Sequence, residues 1–147
     1  MKKILLNECK CRFSACSENE SLARTIAVSF VSQASPTISQ LADVKCAVSE
    51  AVTNSIVHGY ADNPAGVIEM DFRRYDENFV TITIRDKGVG IPDIDAARQP
   101  LFTTDVTGER SGMGFAIMES LMDKVQVRST VGKGTTVTLS IKLGVPT

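Results

Sequence analysis

"SEAVTNSIVHG", residues 49–59, continues a run of apolar side chains at helical spacing, yet it sets Glu50, Asn54 and His58 four residues apart. On a helix such spacing places all three on one slowly drifting stripe. Upstream, Thr37 and Gln40 form a capping box. Leu41, Val44, Val48, Ala51, Val52, Ser55 and Ile56 follow, predicting a helix of about 20 residues that ends near Gly59. The polar row lies to one side of that apolar face. It is either a solvated stripe or the wall of a site. His58, next to Gly59 at the helix end, reads as a C-terminal cap or a packing residue, in keeping with the helix dipole.

Working outward, "NECKCRFSA" alternates Cys9, Cys11, Phe13 and Ala15 against Lys10, Arg12 and Ser14, the pattern of a strand with one buried face. Ser17 and Glu20 form a second capping box, which predicts a helix closed by Ser35-Pro36. After the long helix, "ADNPAG" is a turn by composition. "VIEMDFRRY" and "FVTITIRD" alternate apolar and polar residues and pair as strands through "YDEN". From Lys87 to Ser111, about 25 residues carry little periodicity, which exceeds an ordinary connection and marks a functional or mobile stretch. A helix from about Gly112 to Asp123 turns Phe115, Met118, Leu121 and Met122 inward. A hairpin, "VQVRSTV", "GKG", "TTVTLSIKL", completes the pattern. The expectation is one α+β domain over residues 1–147, a two-layer sandwich of a mixed, mainly antiparallel sheet with helices on one face.

The composition narrows function. A length of 147 residues allows one core. Sixteen basic and seventeen acidic residues leave a net charge of −1, so no whole-molecule field draws in nucleic acid or an anionic membrane. No apolar run approaches the roughly 20 residues of a membrane span, and "MKKILLNECK" is too short for a signal peptide, which predicts a cytoplasmic protein. Cys9, Cys11, Cys16 and Cys46 match no zinc spacing and read as buried structural thiols.

Parity identifies the chemistry at the strand ends. Asp86 follows Val80, Ile82 and Ile84 at even spacing, so its carboxylate points toward the helices; Thr135 shares parity with Val137, Leu139 and Ile141. An inward carboxylate costs several kcal/mol unless something donates to it. Two donors fit equally well: the exocyclic amino group of a bound adenine, or the amides of the following "KGVG" turn. Gly88 and Gly90 in "DKGVG" let backbone turn sharply or approach something flat. Ser111, Gly112 and Gly114 in "ERSGMGF" open a helix whose free amides make an anion site, with Arg110 beside them for phosphate oxygens. If the polar row borders that nucleotide, Asn54 offers a hard oxygen to Mg²⁺, and Glu50 faces the γ-phosphate, placed to accept a hydroxyl proton.

E-x-x-x-N at Glu50 and Asn54, D-x-G-x-G at Asp86, G-x-G at Gly112 and "GKGTT", in that order, resemble the Bergerat-fold ATPases, the superfamily of gyrase-type and histidine-kinase ATP-binding domains. "FSACSENESLAR", "SEAVTNSIVHGY", "DKGVGIPD", "ARQPLFTT" and "ERSGMGFAIME" look like the anti-sigma serine kinases of spore-forming bacteria, over nearly the whole chain. The resemblance implies ATP or ADP as ligand, Mg²⁺ on Asn54, Glu50 as general base, and adenine read by Asp86 and Thr135. It also implies a pocket shaped by Gly88 and Gly90, and a lid from about Pro100 to Gly114 in which Arg110, Ser111, Gly112 and Gly114 meet the phosphates. Arg24, joined by Glu20, is implied to dock a sporulation sigma factor (sigma F) and its anti-anti-sigma antagonist; read from the residues alone, Arg24 is an exposed solubilising side chain. A homodimer is implied as well. The alternatives are a nucleotide-gated sigma-binding module with negligible catalysis and a detached histidine-kinase domain. The latter lacks a phospho-accepting histidine helix of its own.

Overall fold

A computed structural model describes residues 3–98 and 114–145. Five strands, β1 (Leu5–Ser14), β2 (Val67–Tyr75), β3 (Phe79–Asp86), β4 (Lys124–Thr130) and β5 (Gly134–Lys142), form one sheet in the order β1-β2-β3-β5-β4. Every pairing is antiparallel, so the expected mixed sheet is corrected to a wholly antiparallel one. The reason lies in the connections. Two helices run out and back between β1 and β2, returning the chain to the end from which it left; β2–β3 and β4–β5 are hairpins, and β5 returns beside β3 after the stretch that carries α3, α4 and β4.

The helices are α1 (Asn19–Val31), α2 (Ile38–Asn54), a single turn α3 (Ile94–Ala97) and α4 (Gly114–Leu121). None of the helices described is long and apolar enough to cross a membrane. They cover one face of the sheet. Ala23, Ala27, Phe30 and Val31 of α1 and Val44, Ala47, Val48, Ala51 and Val52 of α2 meet Ile68, Met70, Phe72, Val80, Ile82, Ile84, Val137 and Leu139. Phe30 and Phe72 stack at 5.6 Å between ring centroids. Each of the Val, Ile, Leu, Met and Phe side chains contributes about 1.5–3 kcal/mol through removal from water. From α4, Phe115 and Met118 are buried as their spacing requires.

The Thr37 capping box is present in both directions: Gln40 N–H donates to Thr37 Oγ1 at 3.1 Å and Thr37 N–H to Gln40 Oε1 at 2.9 Å. The same Oε1 accepts from Gly144 N–H at 2.9 Å, tying the start of α2 to the chain just beyond β5. The expected Ser17–Glu20 box does not form. α1 begins at Asn19 with no side-chain cap, because the Glu20 carboxylate reaches Ser49 and Arg24 instead. Beyond Asn54, residues Ser55–Gly59 widen into a π turn closed by Tyr60 N–H on Ser55 O at 2.9 Å, which carries the helix to the expected Gly59.

The sheet's other face is polar, with Arg12–Glu69 at 3.4 Å and Arg73 between Glu8 and Asp71. Cys9 and Cys11 are half-buried against the core, and burial pushes the Cys11 thiol up. Cys46 is exposed, against the buried-thiol reading, because it faces away from the side of α2 that carries Val44, Ala47 and Val48.

Candidate functional site

At one end of the site stands Asp86, the last residue of β3, buried on the helix-covered face as its parity requires. Ser55 Oγ donates to its Oδ2 at 2.8 Å; Gly88 N–H and Thr135 N–H donate to its Oδ1 at 3.0 and 3.2 Å. The turn-closing reading of Asp86 is therefore observed through Gly88. A carboxylate has about four lone-pair positions, so an adenine amino group would add to this set without displacing it. Both readings are compatible.

Thr135 lies directly across from Asp86 in the β3–β5 register and is buried. Its Oγ1 is 2.8 Å from Ser129 Oγ, which donates to Gly134 O at 3.0 Å and accepts from Ile91 N–H at 2.7 Å. With the Ser129 proton committed to Gly134, Thr135 is the donor of the pair, which leaves its oxygen free to accept from a ligand. The backbones here approach too closely for side chains. A Cβ on Gly88 would sit 2.0 Å from Gly59 O, and one on Gly134, at φ +126°, 2.0 Å from Asp86 O. Gly90 takes φ +79° against Thr130 and Val131.

At the other end, α2 presents Glu50 and Asn54, both half-buried, with His58 one turn on inside the π turn. Gly114 of α4 comes to them. A Cβ on Gly114 would lie 3.0 Å from Asn54 Nδ2, 3.2 Å from Asn54 Oδ1 and 3.2 Å from Glu50 Oε2. Gly114 is thus the gap that lets α4 lie against the carboxylate–amide pair. Burial first, and the charge of Glu20 second, push the Glu50 carboxyl above its ordinary range. Among the described residues, no group of three or more His, Cys, Asp or Glu side chains could cage a metal. One amide oxygen fits Mg²⁺ nonetheless, since that ion takes one or two protein oxygens and fills its shell with phosphate and water.

Arg24 and Glu20 lie on α1, close to this row. Arg24 Nε is 3.1 Å from Glu20 Oε1, and Ser49 Oγ donates to the same oxygen. Arg24 is half-buried and ion-paired, so the free solubilising reading of it is corrected. Arg110, Ser111 and Gly112, with most of the expected lid, lie outside the described residues.

Ser55, Gly59, Ser129 and Gly134 belong to the site and were not singled out from the sequence. Ser55 and Gly59 did carry a signal, two small residues four apart on an otherwise large-residue helix face. A groove of about 460 Å³ also opens between Arg12, Glu69, Arg85 and Lys87 beside Tyr60, and Glu50 and Asn54 do not line it.

Residues 13–141 match the family described as "Histidine kinase-like ATPase domain". The chain is 55% identical over 133 residues to the anti-sigma F factor of Geobacillus kaustophilus (strain HTA426), covering 90% of each chain. It is 49% identical over 133 residues to the anti-sigma F factor of Priestia megaterium, again covering 90% of each. Among solved structures, the RsbU and RsbW domains of Rv1364c from Mycobacterium tuberculosis superpose with a TM-score of 0.67 at 21% identity, over 96% of this chain and 34% of that one. The histidine kinase domain of the Erythrobacter litoralis EL346 blue-light activated histidine kinase gives 0.54 at 24% identity, over 71% of this chain and 45% of that one. The chain thus spans about a third and just under half of those two structures, and at such identities the likeness concerns the fold.

Proposed function

The chain belongs to the histidine kinase-like ATPase domain family, among the anti-sigma F factors, and from that premise we propose that it is an ATP-dependent serine kinase that doubles as a nucleotide-gated sigma trap. It acts in the cytoplasm as a homodimer, holds a sporulation sigma factor (sigma F) while nucleotide is bound, and phosphorylates the anti-anti-sigma protein on serine. Arg24, with Glu20, forms the docking surface on α1. Asp86 and Thr135 read adenine, and Gly88 and Gly90 let the backbone lie against it.

The observation that carries the reading is the approach of Gly114 to Glu50 and Asn54, which brings a glycine of the G-x-G motif, a carboxylate and a hard oxygen donor to one place. Phosphoryl transfer asks the protein mainly for positioning and charge cancellation. Asn54 Oδ1 would hold the magnesium ion, which when bound supplies positive charge to the phosphate oxygens. The backbone amides of the G-x-G at Gly112 and Gly114 orient the same oxygens. Glu50 accepts the proton of the attacking serine hydroxyl at a carboxylate oxygen, and a carboxyl held above its ordinary range takes that proton more readily.

The test mixes γ-labelled ATP, the protein and the anti-anti-sigma protein. Glu50→Gln is expected to bind MgATP as the parent does and to leave the acceptor serine unlabelled. Full labelling by that variant would remove Glu50 from its role. Unlabelled acceptor with the parent protein would leave the nucleotide-gated binding module.

A further inference from the structure

The Glu20 carboxylate joins two surfaces that the proposed function uses separately. Its Oε1 takes the Arg24 guanidinium from its own helix, one turn along, and the Ser49 hydroxyl from α2. Ser49 immediately precedes Glu50. The Arg24 contact is an ion pair without hydrogen-bond alignment: its Nε is 3.1 Å from the carboxylate, yet among the described residues that buried N–H finds no properly directed acceptor. A guanidinium so placed gains by turning toward a better-aligned, bidentate carboxylate. The Ser49 contact is the short, directed one.

We propose that Glu20 is a positioning residue that transmits occupancy of Arg24 to Glu50, through the Ser49 hydroxyl that fixes the turn of α2 carrying the base. The proposal rests on the reading of Glu50 as base and Arg24 as docking residue given above. The partner group it implies is an acidic side chain. When such a carboxylate captures Arg24, Glu20 keeps only its bond to Ser49, and its charge stands uncompensated beside Glu50. The negative charge of Glu20 adds to burial in holding the Glu50 carboxyl above its ordinary range. The other described neighbours do not offer the same link. α4 brings Gly114 to Glu50, and the α4 carboxylate Glu119 is paired with Arg98. Linkage then requires reciprocity: a ligand that reorganises the Glu50 turn alters affinity at Arg24 by the same factor.

The first measurement is a mutant cycle read by amide resonances in the full chain without nucleotide. Arg24→Ala is expected to shift the signals of Ser49 and Glu50. In a Glu20→Gln background the same substitution leaves them in place. The second measurement is serine transfer at saturating acceptor. Ser49→Ala lowers kcat about fivefold with MgATP affinity unchanged, and Ser49→Thr, which keeps the hydroxyl, restores it. Resonances of Ser49 and Glu50 that ignore Arg24→Ala, or that move equally in the Glu20→Gln background, overturn the proposal. So does a Ser49→Ala effect confined to the KM for the acceptor. Transfer by Glu50→Gln would overturn the base instead, and the resonance cycle would still report whether Glu20 couples the two surfaces.

Discussion

The Asp86 end and the Glu50 end of the site use the same functional group in opposite ways. Asp86 is buried and accepts from Ser55, Gly88 and Thr135. Glu50 is half-buried and, among the described residues, receives no hydrogen bond; its neighbours are an amide, a missing Cβ at Gly114 and a like charge at Glu20. The first carboxylate belongs to the framework and reads a ligand with what capacity it has left. The second is held above its ordinary range by burial and a like charge, as expected of a group whose partner arrives with the substrate.

The contrast can be broken most forcefully at Gly134. Alanine there meets Asp86 O at 2.0 Å and must hold φ +126°, so a loss of about 4 kcal/mol or more is expected in urea unfolding. A loss below about 1 kcal/mol would mean that the Asp86 end is not rigid. Asp86→Asn follows. It places an amide nitrogen among three donors in a buried site and should cost about 3 kcal/mol by the same measurement. Gly114→Ala tests the other end. Its Cβ meets the tips of two long side chains, and alanine favours a helix by up to about 1 kcal/mol, so stability should barely change. MgATP affinity, by calorimetry, should nevertheless fall about tenfold, a loss of about 1.4 kcal/mol.

Glu50→Gln gives the smallest effect and the opposite sign to Asp86→Asn. The Glu50 carboxyl is raised above its ordinary value of 4.5, so the folded state holds its proton to a higher pH than the unfolded chain does. Stability from that protonation is full below the ordinary value and is lost as pH rises through the raised one. Relative to the parent, Glu50→Gln should therefore gain stability as pH rises from the ordinary value of 4.5 through the raised one. Urea titrations across that range check it, and a difference that does not change with pH would return Glu50 to the ordinary carboxylates.

Much of this was legible because the relevant physics is periodic. Alternation placed Asp86 and Thr135 on the covered face, since side chains on a strand change face at every residue. The Thr37 box was legible because both partners lie within four residues of each other. The Ser17 box has the same letters and fails, because Glu20 has better company in Ser49, 29 positions away, which local spacing does not reveal. Ser55 and Gly134 were missed for the same reason: each matters through Asp86, reached only when α2 and β5 are laid beside β3. The resemblance supplied residue roles that spacing alone left open, and Arg110, Ser111 and Gly112 lie outside the described residues.

The π turn at Ser55–Gly59 has a consequence for how length changes are tolerated. A five-residue repeat fits one more residue into a turn than an α-helix does, so deleting any single residue there would let regular winding resume. Four α-helical residues turn through about the same angle as the five they would replace, so the chain beyond the deletion would keep its bearing. Asn54 and Gly59 would both hold their places about the axis, and the adenine floor would stay beside the catalytic wall. A one-codon deletion at this spot is therefore a milder lesion than one in the regular turns of α2, where everything beyond would swing by about 100°.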